Sequence, residues 1–120
     1  MEKLSRTTDA ERADLQAGLF RAFRLTEEWF GREQFSRSYG VGGKRLLNGA
    51  LFEVWTSLLS TVSDEKIVRI NQHLSDFQNH YKRLLQSDDF VFAITRATTD
   101  NKSVLIRFEA IEQLLARYSE

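Results

Sequence analysis

The sequence predicts an all-α protein: a compact bundle of about five helices, folded as a single domain over residues 1–120. Three observations lead there. The chain has no proline, and its six glycines stand only at Gly18, Gly31, Gly40, Gly42, Gly43 and Gly49, so long helices can run unbroken over most of its length. Apolar residues recur every three or four positions, the period of a helix with a buried face. Nine Phe, two Trp and three Tyr supply core material that a disordered chain lacks.

The first helix is predicted from a cap at Thr8 or Asp9 to about Trp29. Leu15, Leu19, Ala22, Phe23, Thr26 and Phe30 share one side, and Phe20, Leu25 and Trp29 widen it. A face that wide implies neighbours on two sides. Gly31 stops the helix, and GREQFSRSYGVGGKR reads as irregular. A second helix follows from about Lys44 to Thr61. Leu46, Leu47, Ala50, Leu51, Val54, Trp55, Leu58, Leu59 and Val62 make it apolar around most of its circumference, which suits the centre of a bundle.

Ser63 caps a third helix, with Asp64 and Glu65 complementing its dipole. Ile67, Ile70, Leu74, Phe77, Tyr81 and Leu84 form a single stripe along it. Ser87 caps a fourth helix through Phe90, Val91, Ile94 and Ala97. The polar run Thr95–Val104 connects to a fifth helix carrying Val104, Phe108, Ile111 and Leu115. Thr98, Thr99, Asp100 or Asn101 is placed to cap it, a contribution of about 1 kcal/mol. There is no internal repeat.

Seventeen basic residues balance seventeen acidic ones, so net charge does not mark a nucleic-acid or membrane-surface protein. The absence of Cys removes disulfides, thiolate metal sites and thiol nucleophiles. No apolar run approaches the roughly 20 residues of a membrane span, and MEKLSRTTDAERADLQ is too polar for a signal peptide. A cytoplasmic location is the expectation.

The segment GVGGKR suggests a phosphate loop, but that pattern needs glycine at position 38 and a hydroxyl residue at 45, where the chain has Ser38 and Arg45. Arg32, Arg37, Lys44 and Arg45 do surround the Gly-rich turn ahead of the second helix, with only Glu33 opposing them. Free N–H groups at a helix start attract anions; solvated loop charge is the plainer reading. His73 and His80 lie on one helix without further ligands, so no metal site is expected. An Arg69–His73 ribonuclease pairing lacks the required spacing, and both histidines read as solvated. No nucleophile triad signature is present. The chain therefore predicts no catalytic residues, no cofactor and no metal.

Two stretches carry a resemblance. GKRLLNGALFEVWTSLL (43–59) holds Arg45, Asn48, Ala50, Leu51, Phe52 and Glu53 in an R-x-x-N-x-A-L-F-E pattern. LLQSDDFVFAITRATTDNKSVLIRFEAIEQLL (84–115) ends in a T-to-V-x-x-R-F-x-x-I-E-x-L-L run. With EEWFGREQFSR (27–37), they resemble the C-terminal helical region of GmrSD-type bacterial restriction and anti-phage defence proteins, which carry a ParB/sulfiredoxin-like domain. In that family the chemistry belongs to the ParB-like domain and its D-G-Q-Q-R motif, which this chain lacks. The resemblance therefore implies a non-catalytic accessory domain, either a module of a larger protein or a separate subunit. Its partner would be a ParB-like catalytic domain in cis or in trans, and a homo-oligomer is compatible.

The same pattern includes Asn48, Thr98 or Thr99, and Arg107, which together with the cap candidate Asn101 are read as structural polar positions. Arg107 lies inside the apolar run LIRF and so calls for a carboxylate or helix-end carbonyls within the domain. The alternative is a nucleic-acid-contacting module using Arg32, Arg37, Lys44 and Arg45, joined by Arg96 and Lys102.

Overall fold

Helix follows the apolar spacing almost throughout. The computed structural model describes residues 2–96 and 98–120, with side chains from residue 10 onward. Among the described residues it has seven α-helices, one 3-10 turn and no strand beyond a single Ser36–Leu47 bridge. The expected five helices become seven because one is added and one is divided.

Helix α1 (Glu2–Phe30) starts well ahead of the predicted cap. Thr8 and Asp9 fall inside it, and their side chains lie outside the described residues. Gly31, at φ +63, ends it in the left-handed conformation that glycine adopts freely. The segment expected to be irregular holds the 3-10 turn Gly31–Glu33 and the one-turn α2 (Ser38–Val41).

Helix α3 (Gly49–Leu59) begins five residues later than expected, since Asn48 is its cap: the Asn48 Oδ1 accepts from Leu51 N at 2.9 Å. Leu46 and Leu47 are left outside the helix and exposed. Ala50, Leu51, Val54, Trp55 and Leu59 are buried, whereas Glu53 and Ser57 face solvent. The helix is thus amphipathic, and it packs against α1, α6 and α7.

The predicted third helix is two, α4 (Asp64–Gln72) and α5 (Leu74–Leu84), divided at His73 with backbone angles −121° and 31°. No proline or glycine marks the break. Trp29 is held from both sides of it: its Nε1 donates to Asn71 Oδ1 at 2.8 Å, and its carbonyl accepts from Gln78 Nε2 at 2.7 Å. The stripe still reaches the core, with Ile67, Ile70, Phe77 and Tyr81 buried.

Helices α6 (Asp88–Thr95) and α7 (Asn101–Ser119) complete the chain. Ser87 and Asp100 occupy the N-cap positions, yet neither side chain makes a capping bond. Asn101 is the first residue of α7 rather than its cap, Thr99 is exposed, and Ala97 lies outside the described residues. The expected side-chain cap on α7 is therefore not formed.

Aromatic rings dominate the core. Phe30, Trp55, Phe77 and Tyr81 stand with centroids 4.7–6.3 Å apart, mostly edge-on or tilted, the arrangement favoured by ring quadrupoles. Trp55 Nε1 donates to Tyr81 Oη at 3.0 Å, so its buried N–H is satisfied.

The Cα radius of gyration is 15.4 Å, above the roughly 13.6 Å of a compact chain of this length. Helix α1 accounts for the excess. At 1.5 Å per residue it is about 43 Å long, close to the 48 Å long axis of the molecule. Ala22, Leu25, Thr26, Trp29 and Phe30 are buried, but Leu15, Leu19, Phe20 and Phe23 are exposed. The two neighbours expected for this helix are α3 and α5, and they cover its C-terminal half while the apolar residues of its middle turns stay exposed.

Candidate functional site

The segment from Gln34 to Asn48 closes on itself. Asn48 N donates to Phe35 O at 2.8 Å. Phe35 sits at φ +59, unusual for a bulky residue, with its ring buried between Phe23 and Phe52 at 5.9 and 5.0 Å. Below the loop, Ser36 Oγ accepts from Ser38 N at 3.2 Å and Leu46 N at 3.3 Å, and shares a 2.8 Å bond with Ser38 Oγ. These bonds hold the loop as one wall of a cleft of about 460 Å³ whose far side is the end of α6, Ile94 and Thr95. Arg37, Lys44, Val41, Leu46 and Leu47 line it, and no acidic side chain does.

A second cleft of about 350 Å³ shares Leu47, Asn48 and Ile94 with the first and adds Glu53, Thr98, Thr99 and Arg107. Its chemistry centres on the C-terminal end of α6, where backbone carbonyls lack helical partners. Asn48 Nδ2 donates to Ile94 O at 2.8 Å, while its Oδ1 caps α3. Arg107 is buried and Nη1 donates to Ala93 O at 3.2 Å and Thr98 O at 2.8 Å. Its Nη2 meets Glu53 Oε1 at 3.2 Å, and its Nε is buried without a partner. A guanidinium at this end also complements the helix dipole.

Asn48, Glu53, Thr98, Thr99 and Arg107 thus converge from two distant segments, whereas the basic cluster splits. Arg37 and Lys44 share the larger cleft. Arg45 turns the other way and donates from Nη1 to Arg32 O at 2.8 Å, and Arg32 is exposed on the 3-10 turn. Arg96 and Lys102 are exposed and line neither cleft. The anion-at-helix-start idea loses its geometry, because α3 begins at Gly49 and Asn48 already occupies that end.

His73 is exposed, but His80 is half-buried, its Nδ1 3.2 Å from Tyr118 Oη. Burial, then Arg83 and Arg117, lower its pKa from the ordinary value, so it is not the solvated histidine expected. No group of three or more metal-ligating side chains occurs among the described residues. Ser36 and Ser38, the buried hydroxyls beneath the cleft, were not anticipated. Their signal was the S-x-S pair inside a Gly-rich segment, where side-chain hydroxyls commonly bond nearby backbone N–H groups.

No helix among the described residues is long and apolar enough to cross a membrane. Compared with protein families, characterised proteins and solved structures, the chain matches none.

Proposed function

We propose that the chain is a non-catalytic helical accessory domain of a defence-type protein, docking through the larger cleft onto a ParB-like catalytic domain in cis or in trans. One observation carries the reading. Val41, Leu46 and Leu47 are 53%, 66% and 74% exposed on a loop fixed by its own hydrogen bonds, beside Arg37 and Lys44. Apolar side chains held in the open on an ordered loop mark an interaction surface. Their basic neighbours suit a partner segment that mixes apolar and acidic residues. The resemblance in residues 43–59 and 84–115 supplies the identity of the partner.

Calorimetric titration of the folded chain with the cognate ParB-like domain tests this. Binding should be present and should be lost on Leu47→Asp, which leaves helicity intact because Leu47 is exposed. No binding by the folded wild-type chain sinks the proposal.

A second reading, nucleic-acid contact, is favoured by the pairing of Arg37 and Lys44 in a cleft lined by no carboxylate. The balanced net charge weighs against it. Gel shifts at low and moderate salt decide, since phosphate contacts weaken steeply with salt. Absence of a shift at low salt removes this reading.

A further inference from the structure

We propose that the exposed face of α1 pairs antiparallel with the same face of a second copy of this chain. At about 100° per residue, Arg12, Gln16, Leu19, Phe20, Phe23 and Glu27 fall within a strip roughly 100° wide. As far as Glu27 that strip is turned away from the buried Ala22, Leu25 and Trp29, and all six of its residues are exposed; Thr26 at its edge and Phe30, beyond Glu27, are buried by the chain's own core. Its apolar centre is Phe20, Phe23 and Leu19, at 75%, 46% and 43% exposure. These three side chains present on the order of 300 Å² of apolar surface. That is more than a third of the roughly 800 Å² that each partner contributes to a stable interface.

Charge order selects both the occupant and the direction. The strip begins with a cation, Arg12, and ends with an anion, Glu27, with the apolar residues between them. Two copies laid antiparallel about an axis between Leu19 and Phe20 set Arg12 against Glu27 of the second copy at each end. Gln16 then faces Phe23, and Leu19 faces Phe20. A parallel pairing would oppose like charges at both ends, which is unfavourable. The face is thus complementary to itself, as a two-fold dimer requires. An open depression among Ala17, Phe20, Phe23 and Arg24 lies along this strip, between side chains where a facing helix seats its own. This surface adjoins the larger cleft, since Phe23 and Leu47 line one small pocket, but Phe20 lies outside that pocket, so the Phe20→Glu variant separates failure of this reading from failure of the docking one.

Sedimentation of the full chain over a range of concentrations tests the pairing. The wild type should be a concentration-dependent dimer, and Phe20→Glu should be a monomer of unchanged helicity by circular dichroism. Arg12→Glu and Glu27→Arg should each weaken self-association about tenfold. An equimolar mixture of those two variants should regain the wild-type dimer, because opposite charges then meet at both ends. Arg12 also interacts within its own chain, and the mixture holds that effect constant. A wild type that stays monomeric, a dimer untouched by Phe20→Glu, or a mixture no tighter than either variant alone would overturn the proposal.

Discussion

Replacing Arg107 with Met should destabilise the fold by about 1–3 kcal/mol, and the reasoning can be followed atom by atom. Nη1 serves two backbone acceptors, Ala93 O and Thr98 O. Leaving a buried acceptor without its donor costs about 1–3 kcal/mol, so the pair costs about 2–6. Met also removes the buried Nε that has no partner, which returns about 1–3 kcal/mol on the same scale. The Glu53 contact adds little, because the Glu53 side chain is 55% exposed and an exposed carboxylate regains water. At roughly 4 °C per kcal/mol for a chain of this size, the melting temperature should fall by about 4–12 °C. Urea unfolding followed by far-UV circular dichroism measures the change, with Glu53→Gln as the control, expected within about 0.5 kcal/mol of wild type. An Arg107→Met protein as stable as wild type would show that the helix-end carbonyls do not need the guanidinium. A Glu53→Gln loss as large as that of Arg107→Met would show that the ion pair matters instead.

Asn48→Asp keeps the oxygen that caps α3 and loses the Nδ2 donor to Ile94 O; a loss of about 1–2 kcal/mol by the same unfolding measurement is expected. Gly40→Ala should cost about 1–3 kcal/mol by overpacking, since an added Cβ would stand 2.6 Å from Leu85 Cβ and 2.7 Å from Lys82 O. Gly49→Ala meets nothing within 4 Å and should be neutral or stabilising by up to about 1 kcal/mol through the unfolded chain, so equal losses at the two glycines would contradict the packing. The lowered pKa of His80 means that the unfolded chain binds more protons once the pH falls below the ordinary histidine value of about 6.5. Stability contributed by the neutral ring is then complete above that value and declines as the pH drops through it toward the folded pKa. Thermal melts should show a steeper acid loss for wild type than for His80→Gln, and identical slopes would remove His80 from the account.

What could be read from the sequence divides along one physical line. Helix faces are set by local spacing, and Ile67, Ile70, Phe77 and Tyr81 are buried as their stripe implies. The Ser63 cap is likewise local, its Oγ accepting from Lys66 N at 3.3 Å. The division at His73 was invisible because its cause is not local: Trp29, more than forty residues earlier, bonds to both α4 and α5. Leu46 and Leu47 misled for a related reason. Their spacing continues the α3 pattern, but Asn48 and the closed loop of residues 34–48 stop the helix short of them, leaving two leucines in solvent.

The same distinction explains why the site was half legible. N-terminal caps draw on residues next to the helix, whereas the C-terminal ends of α1, α3 and α6 are satisfied by side chains from far away in sequence. Gln78 bonds Trp29 O, Arg21 Nη1 bonds Leu59 O at 2.6 Å, and Asn48 and Arg107 together hold the end of α6. Asn48 and Arg107 stand out as motif positions in two separate segments, and their shared task appears only when both segments reach one helix end. Their polarity is therefore accounted for by the fold. Among the large apolar side chains left in solvent are Leu46 and Leu47 beside the cleft and Leu19 and Phe20 along α1. A folded chain gains nothing by keeping such side chains in water, so the case for function rests on what covers them.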